Sequence, residues 1–375
     1  MIKSKFFFAV MPQNNITVRK EGNSFWLDED LLEILDKEIG GKRVLMSAGL
    51  WQPYAKLKYE KKGEEIFADS GGFQFYFLTP GRQREFFKTR NDMYRFQVNV
   101  GDYIAGGDIP VGMELDKKQV EYYADMTKDN MELQFKLDPN MGDKFVNVMH
   151  GQSIGTMDAW YNRVKDFQSV GWAVGAKGSG AFGNILQLMY LHEKGALQKA
   201  KMVHMFAMSG KHTLNSVMWF LEKLGVDLTV CSDSSSYSLG RYGAMFYGKG
   251  VLRYDAIRRG DVVVETWNGK KITDVPRVVQ RELNRDLLFT SIQHFCRWFK
   301  SDILGVYERR DKEFDDIIKR AEVEKFWNWY KMGSTELVWE RLRSRVPGRS
   351  TVKIGNSFKV MENRNKAYEK KRRHK

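Results

Sequence analysis

Eight short apolar runs recur along the first two-thirds of the chain, at 6–11, 43–47, 65–69, 103–108, 145–149, 172–175, 202–207 and 227–232. Longer amphipathic stretches lie between them, at 28–39, 82–96, 117–136, 156–170, 184–200 and 214–224. Short apolar runs alternating with helical periodicity predict strands joined by helical crossovers, and hence a parallel sheet. Eight such units favour a closed (β/α)8 TIM-type barrel over a doubly wound sheet, which the pattern alone leaves open. The barrel makes a demand that a sequence can meet or fail. Its functional groups belong where strands end and loops begin.

The strand ends meet it. The third run ends at Asp69, in E-E-I-F-A-D-S-G-G-F-Q, and turns through Ser70, Gly71 and Gly72 into Phe73 and Gln74. The fourth ends at Asp108, the fifth leads into His150 and Gly151, and the sixth opens into Gly175, Ala176 and Lys177. The eighth reaches Asp233 in V-C-S-D-S-S-S-Y. A glycine pair after a strand permits positive φ and close approach of backbone to a ligand. Taken singly, each acid also fits a cap or turn, His150 a core histidine, and Lys177 and Arg241 surface charges. Together they predict three acids and an imidazole at one mouth.

After Gly248 the texture changes. The barrel is expected to occupy 1–248, a β-like insertion or hairpin around Trp267-Asn268-Gly269-Lys270 to occupy 249–276, and a helical region to occupy 277–348. Trp298, Trp327, Trp329 and Trp339 recur in that helical region, where packing against the barrel is favoured over base stacking. A basic tail fills 349–375. Lys and Arg number 61 against 47 Asp and Glu, a net charge of +14, which points to a polyanionic partner, nucleic acid before membrane. The two cysteines, Cys231 and Cys296, build neither a disulfide framework nor a cysteine-rich zinc site, and fit a reducing cytoplasm. The apolar run after Lys3 and Lys5 is too short for a signal peptide, and no stretch approaches a membrane span.

Two carboxylates across one pocket suit displacement at an anomeric carbon, one attacking while the other moves protons. Asp233 lies among small hydroxyl residues that leave it accessible, the position of a nucleophile, and Asp69 is the candidate acid/base. Asp108 offers a carboxylate to the paired N–H donors of a guanine-like edge, and Phe73 a ring to stack on a base.

In these motifs the chain resembles the tRNA-guanine transglycosylases. A-D-S-G-G-F-Q is close to that family's T-D-S-G-G-[YF]-Q, and G-D-Y-I-A-G-G-D to its G-[SA]-D-I-x-M-x-[FL]-D. V-M-H-G-Q-S resembles I-[VQ]-Q-G-[GS], G-W-A-V-G-A-K-G-S-G resembles G-[YF]-A-[IV]-G-G-L-[AS]-V-G, and L-G-R-Y-G-A-M-F resembles S-G-R-N-G-x-A-F. The order holds from about Arg43 to Phe246.

The resemblance implies a barrel that exchanges guanine for a 7-deazaguanine through a covalent link between Asp233 and C1′. Asp69 falls on the acid/base, and Ser70, Gly71, Gly72 and Gln74 on the base-binding turn with Phe73 stacking. Asp108 falls on the purine-reading acid, and Gly175 and Ala176 on the small-residue floor. His150, beside Gly151, stands where the family has Gln, and Ala176-Lys177 where it has Gly-Leu. The family's C-x-C-x-x-C…H zinc module is missing from the sequence, so no metal and no cofactor is expected. That loss, with the basic charge, points to the branch that modifies DNA, found in phages and bacterial islands, and so to a host cytoplasm. The expected partners are DNA, gripped by Arg241 and Lys177 and the helices after Arg277, and a free base such as preQ0 or a relative. The alternatives are a zinc-free enzyme acting on tRNA, a non-catalytic nucleic-acid-binding relative, and a glycoside hydrolase using water.

Overall fold

Strand pairing turns the eight apolar runs into a cylinder. In the computed structural model, β1 (Lys3–Val10), β2 (Arg43–Ser47), β3 (Glu65–Asp69), β4 (Tyr103–Ala105), β5 (Phe145–Met149), β6 (Gly171–Val174), β7 (Met202–Met205) and β8 (Thr229–Ser234) pair in parallel, each with the next. β8 returns to β1, with Lys3 opposite Thr229 and Phe7 opposite Asp233, which closes the barrel. The structure describes residues 1–10, 12, 17–19, 23–72, 75, 80–111, 117–175, 180–234, 246–248, 250–252, 289 and 292–345. The chain is a (β/α)8 barrel with a helical C-terminal region.

Side-chain caps start several of the helices. Asp28 accepts from the Asp30 N–H to start α1 (Glu29–Ile39), and Gly40 at φ 69° ends it in the left-handed conformation. The others on the barrel are α2 (Pro80–Val100), α3 (Lys117–Leu137), α4 (Ile154–Val164), α5 (Gly180–Glu193) and α6 (Lys211–Lys223). α4 starts on a reciprocal Ser153–Thr156 cap and stops at Val164, short of the expected 170. The reason is the sheet: the Val170 N–H donates to the Phe145 carbonyl and draws the chain toward β6. α5 likewise ends early, and Gly195 turns the chain at φ 71°.

Period-two alternation sorts the barrel interior into layers. On β3, Glu65, Phe67 and Asp69 take successive levels. Around Glu65 lie Lys5 at 2.6 Å, Arg43 at 3.3 Å and, through Lys5, the Tyr103 hydroxyl. Around Phe67 lie Phe7, edge-on at 5.7 Å, and the imidazole of His204, stacked at 3.9 Å. Asp69 tops the column. On the opposite face of β1, Phe6 and Phe8 meet Phe295, and Phe6 also meets Phe299. The helical segment 292–309, with a π turn at Phe299–Leu304, therefore covers β1 from outside and is tied to α1 by an Arg297–Glu38 ion pair at 2.6 Å. It holds the place of the barrel's eighth helix. Beyond it, α7 (Lys312–Ala321) and α8 (Val323–Lys331) pack on α6, and α9 (Thr335–Arg345) on α5. Trp339 is buried and Trp298, Trp327 and Trp329 are half-buried against the core, as packing residues. Among the described residues, no helix is long and apolar enough to cross a membrane.

Candidate active site

Three carboxylates, two on strands and one on the loop after β4, converge at the C-terminal mouth, and each has different company. Asp69 ends β3 directly opposite Ser47, the last residue of β2, whose hydroxyl bonds its carboxylate. The Gly71 N–H donates to Asp69 Oδ2 at 3.2 Å. Asp69 keeps some solvent contact but is surrounded by protein. Burial, then the negative charges of Asp108 and Asp233, push its carboxyl up to about 7 against the two hydrogen bonds. An acid so placed is half protonated near neutrality and can give or take a proton.

Asp108 is buried, and both of its oxygens are held. The Ser70 hydroxyl donates to Oδ1 at 2.7 Å, and His150 Nε2 lies 2.8 Å from Oδ2. Ser70 Oγ in turn accepts from the Gly72 N–H at 3.1 Å. The turn after Asp69 thus reaches directly to Asp108. Both glycines are required, for different reasons. Gly71 has φ 83° and a Cβ there would meet the Gly49 backbone at 2.5 Å, while a Cβ on Gly72 would run into the Asp108 carbonyl oxygen. His150 is a satisfied buried histidine and a member of the mouth at once, with its ring edge-on to Trp160 at 4.6 Å. Gly151, at φ 102°, offers its carbonyl to Gln187 Nε2 at 3.0 Å.

β4 is shorter than expected, ending at Ala105, because helix-borne amides take over its backbone. Gln134 accepts from the Gly107 N–H at 2.8 Å, Asn130 donates to the Gly107 carbonyl at 2.8 Å, and Thr127 accepts from the Ile109 N–H at 3.0 Å. Gln97 of α2 completes the set by donating to the carbonyls of Ala68 and Ala105. These side chains fix the loop that carries Asp108. Sequence reading passed over them, although Thr127, Asn130 and Gln134 recur at helical spacing on a face that also buries Ala124 and Met131.

Asp233 lies within β8 rather than just past it. Its Oδ1 accepts from the Ala207 N–H at 2.8 Å and lies 3.1 Å from His204 Nε2. His204 was also missed. Its signal was a lone imidazole in the apolar run M-V-H-M-F-A. A Cβ on Gly175 would meet Phe206 at 3.1 Å. Phe73, Gln74, Ala176, Lys177 and Arg241 lie outside the described residues, as do 349–375 and most of 249–276. Among the described residues, no lysine or arginine pairs with any of the three acids, and no group of acids, histidines and cysteines is arranged to hold a metal ion. Burial pushes the Cys231 thiol up to about 12, and Cys296 is buried and raised as well.

No protein-family profile matches the sequence, and no curated protein is significantly similar to it.

Proposed function

We propose that this protein is a pentosyltransferase that exchanges guanine in DNA for a 7-deazaguanine, with Asp233 as nucleophile and Asp69 as acid/base. The observation that carries this reading is the unequal dressing of the three acids. Asp69, at about 7, is suited to carry a proton both ways, whereas Asp233 has the Ala207 N–H and His204 Nε2 converging on a single oxygen. In the first half-reaction, an Asp233 oxygen forms a bond to C1′ as the C1′–N9 bond breaks, and the departing purine takes the proton of Asp69. In the second, the incoming base gives its proton to Asp69 and displaces the Asp233 carboxylate from C1′.

Asp108 suits the recognition step. Among the described residues, Oδ1 is held by the Ser70 hydroxyl and Oδ2 faces His150 Nε2, which leaves a second lone pair on each for the N1–H and exocyclic amine of a guanine-like edge. The net charge of +14 favours a polyanionic substrate, and a base must leave the stack to reach a barrel mouth. The test is incorporation of labelled guanine, and of 7-deazaguanines, into DNA and tRNA side by side. Incorporation into DNA is expected. Incorporation into tRNA alone would move the same chemistry to the other polymer, and none into either, with Asp233 intact, would overturn the transferase reading.

A further inference from the structure

The imidazole of His204 is a polar group in an aromatic layer, and packing does not require it. The residue is fully buried, stacked on Phe67 at 3.9 Å and 19°, with Phe206 edge-on at 4.9 Å and Phe7 at 6.2 Å. Walled in on these sides, the ring has one polar outlet among the described residues. Nε2 faces Asp233 Oδ1 at 3.1 Å, and Nδ1 is buried with no hydrogen-bond partner among the described residues. A proton on Nδ1 would find no acceptor, whereas one on Nε2 is donated to the carboxylate. Leaving a ring nitrogen unpartnered in the core is unfavourable, and an apolar side chain of similar size would avoid it.

A second donor converges on the same atom. The Ala207 N–H lies 2.8 Å from Oδ1, presented by a backbone at φ 54°, a conformation that residues with a Cβ rarely adopt. Among the described residues, Asp233 Oδ2 accepts no hydrogen bond. One carboxylate oxygen is thus pinned from two directions while the other, among the described residues, accepts no donor.

We propose that His204 is a positioning residue that, with the Ala207 amide, holds Asp233 through Oδ1 and so makes Oδ2 the attacking atom. The inference rests on Asp233 as the nucleophile. When the Oδ2–C1′ bond forms, Oδ1 becomes the ester carbonyl oxygen and keeps both donors. When the second base displaces Asp233, the C1′–Oδ2 electron pair returns to the carboxylate, whose negative charge the same two N–H groups meet.

The experiment compares wild-type protein with His204→Leu and His204→Gln, on whichever polymer the wild type modifies. Base exchange is read as kcat and KM, the Asp233–nucleic acid adduct is followed by denaturing electrophoresis, and urea unfolding reports folding. Leucine suits the aromatic layer and removes the donor; the glutamine amide can donate where Nε2 does. His204→Leu is expected to lower kcat and adduct formation by about 10–100-fold with KM for the base little changed, and His204→Gln to restore most of the rate. An active wild type with an unimpaired His204→Leu would overturn this proposal alone, as would a folded His204→Gln as slow as a donor-free site. Should His204→Leu not fold, the rate of His204→Gln decides: near wild type sustains the role, and a loss of about 10-fold or more in folded protein removes it. Wild-type protein that forms no adduct with either polymer removes the transferase reading and this role with it.

Discussion

The two poles of the barrel hold similar amounts of charge to opposite ends. At the N-terminal pole Glu65 is matched by Lys5 and Arg43, all about one-fifth to one-third exposed. Burial alone would lower the Lys5 ammonium, yet the bonds to Glu65 prevail and raise it. At the C-terminal pole Asp69, Asp108 and Asp233 share a mouth with N–H, hydroxyl and imidazole donors, and among the described residues no lysine or arginine is paired with them. The same strand, β3, feeds both. A charge repaid by its neighbours stabilises the cylinder, and one left unbalanced keeps chemistry available at a cost in stability.

Breaking the unbalanced pole has the largest expected effect. Asp233→Ala should lower base exchange by about 10⁴-fold or more and abolish the covalent adduct, while gel-shift affinity for nucleic acid stays largely intact. Persisting exchange would show that the nucleophile lies elsewhere. Asp69→Asn should lower exchange by about 10²–10⁴-fold. It should also separate the poles in stability. Between about pH 4 and 7 the native state holds a proton on Asp69 that the unfolded chain releases, so wild-type stability falls as pH rises through that window. The neutral amide escapes this loss, and urea unfolding at pH 8 should favour the variant by about 2–3 kcal/mol, less than the full displacement would give because Asp69 keeps some solvent contact. No widening of the difference between pH 5 and 8 would contradict the raised carboxyl.

Smaller effects sharpen the comparison. Gly72→Ala forces the Asp69 turn away from the Asp108 backbone, and should reduce exchange by about 10²-fold with a loss of about 1–3 kcal/mol in the same unfolding assay. Glu65→Gln attacks the balanced pole. It leaves two half-buried cations without their carboxylate and should lower stability by about 1–2 kcal/mol, with kcat unchanged. A change in kcat there would mean that the poles are coupled.

How much of this was legible depended on how local each cause is. The strand runs, the glycine turn after Asp69 and the acids at strand ends are written in contiguous residues, so periodicity and turn chemistry exposed them. His204 and the amides of Gln97, Asn130 and Gln134 acquire their roles only when β7 meets β8 and when α2 and α3 pack on β4. The same holds for the end of α4, decided by a hydrogen bond from Val170 to Phe145 that no local propensity contains. Asp233 fell inside β8 because Phe7 of β1, more than two hundred residues earlier, pairs with it.

The segment 292–309 gives that distance a consequence for how the chain is made. Phe6 and Phe8 leave the ribosome nearly three hundred residues before their cover, Phe295 and Phe299. The Ile2 N–H is tied to the Tyr307 hydroxyl at 3.1 Å, so the start of β1 is latched to that segment only then. Until translation passes that tyrosine, the aromatic face of the first strand lacks Phe295 and Phe299, a window in which a nascent chain is open to misassembly and to chaperones. A polypeptide stopped at residue 248 would remain in that window permanently.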